Sequence, residues 1–269
     1  MPFFPDECLD EFIRLVSEVL EAQRKKNERG NDMITNLLDI IDRTQSEEFK
    51  KLGITEKTIM SQIFELFMAM YEGLPTAIAS FFYQLTKSPE TMAILVEEVD
   101  KLFKTTEGHL TPEDIIRLPY LSACLSETFR IFPTFHRLDR VCVKNWEDTE
   151  FGIKIPKGMP VYICLWPMHH NPDYFPNPEQ FQPERFLAEA KNDLHPYAFG
   201  VFGHGPKSCP GNRLATDIIK ITVVEILLHF NLEACPEYRM KQYPGFGPFI
   251  RTNPILVDLI PRGLRETDD

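Results

Sequence analysis

The chain has 269 residues, 43% of them apolar and 12% aromatic, which suffices for a sizeable hydrophobic core and excludes a disordered chain. A formal charge of −11, from 29 Lys and Arg against 40 Asp and Glu, excludes the basic footprint that non-specific nucleic-acid binding requires. The six cysteines (Cys8, Cys124, Cys142, Cys164, Cys209 and Cys235) lie far apart and read as reduced core residues, not a disulfide framework.

Residues 1–12 have neither a basic start nor an apolar run, so no signal peptide is expected. Residues 7–26 follow a helical period, with Phe12, Leu15, Val16, Val19 and Leu20 on one face. A polar run ends this helix at Gly30. Residues 33–41 read as a short helix and 44–54 as a polar loop. Residues 56–87 form a long, mostly apolar helix. Its most apolar part, 63–85, is interrupted by Glu65, Glu72 and Pro75, so no membrane span is expected. Pro75 removes one intrahelical bond, and a kink is expected there. Tyr71 and the Phe-rich stretches read as core.

Ser88-Pro89-Glu90 starts the next helix with a capping residue and proline at the first position, and Thr111-Pro112-Glu113-Asp114 repeats the signal. A further helix is expected over 118–132, stopped by Pro133. From about residue 140 to 165 the alternation of Val141, Val143, Ile153, Ile155, Val161 and Ile163, punctuated by Gly152 and Gly158, reads as β-hairpins. Adjacent His169 and His170, taken as extended chain, point to opposite faces and read as local hydrogen-bonding residues. Residues 171–186, rich in Pro and Asn, are expected to be irregular, and Leu256–Leu259 reads as terminal strand. The fold class is mainly α with a small β component.

Residues 199–215, FGVFGHGPKSCPGNRLA, place Cys209 among four glycines and two prolines, just before an apolar helical period that begins at Gly211. The start of a helix favours an anion, and a thiolate is one. Zinc calls for about four protein ligands at short spacing, and no second Cys or His pairs with Cys209. Haem iron needs one axial protein ligand, and thiolate is a recognised one. An isolated cysteine in a glycine-rich loop also reads simply as a small buried hydrophobe.

The spacing Phe202-x-x-Gly205-x-Lys207-x-Cys209-x-Gly211 resembles the haem-binding signature of the cytochrome P450 family, with Lys207 where arginine is usual. Glu127-Thr128-Phe129-Arg130 resembles that family's Glu-x-x-Arg pair on helix K, and Pro183-Glu184-Arg185-Phe186 its Pro-Glu-Arg-Phe box. The resemblance covers residues 1–269 as one haem-binding domain. It corresponds to the C-terminal portion of the P450 fold, helices G/H to L, truncated on the N-terminal side. It is nearest to the animal clan of liver drug oxidases and thromboxane synthase.

The resemblance implies haem b as cofactor, with Cys209 as the iron ligand. Phe202, Gly203, Gly205, Lys207, Gly211, Arg140 and Ala69 would line the cofactor, Lys207 and Arg140 through its propionates. Thr134, Phe135, His136 and Arg137 would face substrate, as would a turn over 245–249. Glu127, Arg130 and Arg185 would form a buried structural triad. In the family a helix carries Ala/Gly-Gly-x-Asp/Glu-Thr beside bound dioxygen. Here Ala69 and Glu72 match, Glu72 as catalytic proton carrier, while Met70 and Gly73 replace the glycine and the threonine.

The implied function is a haem-thiolate monooxygenase that oxidises a small apolar molecule with O₂. NADPH-cytochrome P450 reductase would supply the electrons, at the endoplasmic reticulum membrane. Membrane association belongs to full-length relatives, since no anchor is read in this chain. One alternative is an O₂-independent haem-thiolate isomerase or dehydratase acting on a peroxide, which needs no threonine. Another is an inactive truncated haem protein.

Overall fold

The structure, a computed structural model, describes residues 6–26, 30–190, 194–235, 241–244 and 250–263. The chain divides into two compact units, residues 1–72 and 73–269.

In the first unit, α1 (Asp6–Lys25) and α2 (Met33–Arg43) bury Leu20, Leu38 and Ile41, with Val16, Ile34, Ile59 and Met60 packed around them. Asp32 caps α2 by accepting the Thr35 amide at 2.8 Å. The expected face of α1 is narrower than its periodicity suggests, because Leu15 and Val19 stay about half exposed. Residues 44–54 are not all loop: Glu47–Lys51 forms a short helix, α3. Ser46 caps it, and its acidic first turn and basic last turn complement the helix dipole. Helix α4 (Glu56–Lys87) begins in this unit, where Phe12 meets Phe64 and Phe67 at ring distances of 4.9 and 5.3 Å. Tyr71, expected in the core, is 66% exposed.

α4 remains helical through Pro75, and in the second unit it buries Ala77, Phe81 and Leu85 at four-residue intervals. These residues join Leu95 and Val99 of α5 (Pro89–Thr105), Leu121, Cys124 and Leu125 of α7 (Pro119–Ile131) and Val223 and Leu227 of α9 (Asn212–His229). Each such Phe, Leu or Val side chain contributes roughly 1.5–3 kcal/mol of apolar burial.

The start signals are realised unequally. Thr111 and Asp114 make the full reciprocal cap of α6 (Pro112–Ile116). Ser88, expected to cap α5, makes no side-chain cap bond; only its carbonyl takes part, accepting the Met92 amide. Helix α7 starts after Leu118, which has no side-chain oxygen. The Tyr120 and Leu121 amides donate instead to Glu98 of α5 at 2.8 and 2.9 Å.

The described strands form four two-stranded antiparallel sheets. β1 (Leu138–Val141) pairs with β4 (Pro160–Ile163), placing Arg140 opposite Val161. β2 (Trp146–Asp148) pairs with β3 (Ile153–Ile155). β5 (Phe230–Ala234) pairs with β8 (Val257–Pro261), and β6 (Gln242–Pro244) with β7 (Ile250–Thr252). The fold is mainly α with a small β component, as expected.

Arg262, just past β8, donates to Asp100 of α5 at 2.7 Å and to the Leu227 carbonyl at 2.6 Å. All six cysteines are free thiols, but only Cys124 is buried; Cys8, Cys164 and Cys209 are exposed, and Cys142 and Cys235 are half-buried. The reading of the cysteines as core residues therefore holds for Cys124 alone. The expected terminal strand begins at Val257, and among the described residues no helix is long and apolar enough to cross a membrane.

Candidate functional site

The strap that carries Cys209 folds through its own backbone. The Gly203 amide donates to the Gly200 carbonyl at 2.8 Å, and the Ser208 amide to Gly205 at 3.0 Å across a short 3-10 turn, Gly205–Lys207. The Cys209 amide closes the loop on the Phe202 carbonyl at 2.7 Å. Gly203 and Gly205 make this path possible, with φ of 71° and 75° in the left-handed region. Gly211 has no such need, with φ of −89°. A Cβ there would stand 3.9 Å from the Cys209 sulfur, so glycine leaves that flank of the sulfur open.

Cys209 is exposed, so the bland reading of it as a buried hydrophobe does not hold. Phe202 is half-buried, its ring edge-on to Phe129 of α7 at 5.2 Å. Arg140 of β1 reaches the same loop: its Nη2 donates to the Lys207 carbonyl at 3.4 Å and lies 3.8 Å from a Cβ built at Gly203. Cys209, Phe202, Gly203, Gly205, Lys207, Gly211 and Arg140 thus come together in one strap-and-strand cluster. A cavity of about 230 Å³ lies between the strap, α7 and α9, lined among others by Phe129, Phe199, Phe202 and Lys220. Burial lowers the pKa of Lys220, whose ammonium donates to the Ile116 carbonyl at 2.8 Å.

A second cluster braces the first. Glu127 and Arg130, one turn apart on α7, are fully buried and joined at 2.8 and 2.9 Å. Glu127 also accepts the Gln182 amide at 2.9 Å and Arg185 Nε at 3.2 Å. Arg130 donates to the carbonyls of His169 and Pro178 at 2.8 and 2.7 Å, and its guanidinium lies over the Phe175 ring. Within the irregular stretch, Pro183–Phe186 forms a 3-10 turn. Tyr120 donates to Glu184 of that turn at 2.9 Å; burial, then the carboxylate, push its phenol pKa up.

The reading of His169 as a local hydrogen-bonding residue does not hold. It is not on extended chain but ends α8 (Leu165–His169), and it is fully buried. Its Nδ1 lies 3.1 Å from the Arg130 carbonyl and its Nε2 accepts the Gly200 amide at 3.4 Å. Both partners are more than 30 positions away in sequence, so no local spacing marked them. Its neighbour His170 does bond locally, to the Trp166 carbonyl at 2.9 Å.

Thr134, Phe135, His136 and Arg137 are all half-buried on the connection from α7 to β1. Ala69 is exposed and Glu72 half-buried on the part of α4 that belongs to the first unit, whereas Cys209 belongs to the second. The turn over 245–249 lies outside the described residues.

The donor set fits haem. Among the described residues no three His, Cys, Asp or Glu side chains gather to hold a metal ion. A single exposed sulfur suits a metal whose remaining ligands come from a macrocycle. The glycine flank at Gly211 leaves room beside the sulfur, and the Arg140 guanidinium reaches the strap at the Lys207 carbonyl.

The family model described as Cytochrome P450 matches residues 5–256. The chain is 32% identical over 264 residues to cytochrome P450 3A28 of Bos taurus, an alignment covering 97% of this chain and 51% of that protein. It is 32% identical over 265 residues to cytochrome P450 3A56 of Fundulus heteroclitus, covering 97% and 52%. It is 30% identical over 255 residues to cytochrome P450 3A7 of Homo sapiens, covering 94% and 50%. The chain spans about half the length of these curated relatives.

Proposed function

Because this chain belongs to the cytochrome P450 family, whose members bind haem b, we propose that it is the haem-binding part of a haem-thiolate monooxygenase. Its substrate is a small apolar molecule, and its electrons come from NADPH-cytochrome P450 reductase. The observation that carries this reading is the exposed sulfur of Cys209 on a strap that backbone bonds hold open. The same reading puts the protein at the endoplasmic reticulum membrane, by resemblance to animal members of the family.

When bound, haem supplies the chemistry that splits dioxygen, inserting one oxygen atom into substrate and releasing the other as water. The protein's own residues bind and orient. Cys209 holds the iron as thiolate and pushes electron density toward it. With haem bound, Phe202 would pack on the sulfur side and keep water out, and the glycines of the strap would let backbone come close. Arg140 and Lys207 bind the propionate carboxylates, Lys207 as a point charge where arginine would offer a fork. The family resemblance assigns Ala69 to the cofactor, Glu72 to proton transfer, and Thr134, Phe135, His136 and Arg137 to substrate.

The reduced protein under CO should absorb at the thiolate position. Reconstitution with reductase, NADPH and an apolar substrate should give oxygenated product; NADPH consumption that ends only in peroxide overturns the monooxygenase reading. A second reading, rearrangement or dehydration of a peroxide without O₂, is favoured by Gly73, which stands where the family carries threonine. Turnover under anaerobic, NADPH-free conditions would identify it.

A further inference from the structure

The strap has a tether besides its own turns. We infer that His169 is a positioning residue for the Cys209 loop, fixing the point at which the loop leaves the core. This rests on the haem-thiolate reading above, which gives the loop its task.

The tautomer follows from the partners. The Arg130 carbonyl carries no proton, so Nδ1 must donate across the 3.1 Å contact. The Gly200 amide is a donor, so Nε2 must carry the lone pair that accepts it at 3.4 Å. Only the neutral Nδ1–H imidazole satisfies both, and burial holds His169 in that form, lowering its pKa from 6.5 to about 4.

The ring is held in place from several sides. It stacks on Phe199 at 5.6 Å, meets Phe175 edge-on at 6.1 Å, and its own carbonyl accepts Arg130 Nη1 at 2.8 Å. His169 and Arg130 therefore clasp each other, carbonyl to side chain in both directions. A Cβ at Gly200 would lie 3.2 Å from the Leu165 side chain of α8, so glycine suits this close approach.

From this anchor the loop builds outward. The Gly200 carbonyl accepts the Gly203 amide, and the Phe202 carbonyl accepts the Cys209 amide. The order of dependence is thus His169, Gly200, Gly203 and Phe202, Cys209. Removing the ring nitrogens leaves a buried amide and a buried carbonyl without partners at the first link. The rest of the loop, from His204 to Pro210, is exposed.

The test uses the full chain without haem first, comparing His169→Phe, which keeps the aromatic packing, with His169→Gln, whose side-chain oxygen can stand near the Nε2 position. Hydrogen exchange at Gly200 and Gly203 and iodoacetamide alkylation of Cys209 are read against exchange at the α7 amides. The Phe variant should exchange Gly200 and Gly203 about tenfold faster and change the Cys209 alkylation rate several-fold, with α7 unchanged. The Gln variant should recover most of the Gly200 protection. Haem-loaded Phe variant should lose part of its thiolate-type reduced-CO absorption.

Uniform faster exchange across α7 and the loop, or unchanged Gly200 exchange and Cys209 alkylation in both variants, overturns the inference and leaves His169 a core residue only. If the Phe variant does not fold, the Gln variant decides: Gly200 protection within a few-fold of wild type supports the tether, and its loss alongside α7 refutes it. Failure of the wild-type chain to take up haem would refute the proposed function while leaving these haem-free measurements decisive for His169.

Discussion

The Cys209 amide donates to the Phe202 carbonyl at 2.7 Å across seven positions of chain. The residue offering sulfur to solvent is thereby tied to a residue whose ring packs against Phe129 of α7. The backbone of Cys209, not its side chain, connects it to the fold.

Cys209→Ser should therefore leave the stability of the haem-free chain within about 0.5 kcal/mol, as for other exposed positions. The reduced-CO absorption should lose its thiolate character completely. Urea unfolding and difference spectra on one preparation check both.

Gly203→Ala and Gly211→Ala separate two uses of glycine. At Gly203 a Cβ meets only ordinary contacts of 3.6–3.8 Å, so the cost comes from its φ of 71°, about 1–2 kcal/mol for the left-handed conformation. At Gly211 the backbone tolerates alanine, but the methyl lies beside the sulfur. That variant should unfold as wild type does and bind haem more weakly, by haem titration.

Glu127→Gln should be among the most destabilising single changes in α7. It strands the fully buried Arg130 and weakens the hold on Arg185, a loss of about 3–5 kcal/mol. Arg185→Gln removes only the partly accessible end of the cluster, at about 1.5–3 kcal/mol. Urea midpoints should rank the two in that order.

Stability should depend on pH through His169. The unfolded chain binds its proton near 6.5, while the folded chain resists until about 4. Between those values the unfolded state holds more protons, so stability rises with pH across the window. About 3 kcal/mol is lost on going down to pH 4, with no further loss from this residue below it. In His169→Gln the difference between urea unfolding at pH 4.5 and at 7.5 should shrink accordingly.

Gly73→Thr should be tolerated, because a Cβ at Gly73 meets nothing within 4 Å and threonine is the better helix former by a few tenths of a kcal/mol. If the chain is a monooxygenase with impaired proton delivery, oxygenated product per NADPH consumed should rise. An unchanged ratio would count against that account.

What the sequence disclosed was local. The Thr111–Asp114 cap and the glycine-rich strap lie within short stretches, where spacing carries information, whereas the burial of the Glu127–Arg130 pair came from the family resemblance and not from its spacing. What it hid was long-range. The cap of α7 comes from Glu98, more than 20 positions upstream, and the partners of His169 from 31 and 39 positions away. Ser88 matched a capping pattern without making the side-chain bond, and Ser46 capped a turn in a segment too polar to read as helix. Cysteines in apolar surroundings read as core, yet at Cys164 and Cys209 tertiary placement decides exposure, which hydropathy alone does not encode.

The pairing of Asp100 with Arg262 spans 162 positions. During synthesis, helix α5 leaves the ribosome long before its cationic partner exists, and β5 waits likewise for β8. The buried face of the second unit is therefore completed only once β8 and Arg262 have been made, and until then its apolar surface stays open.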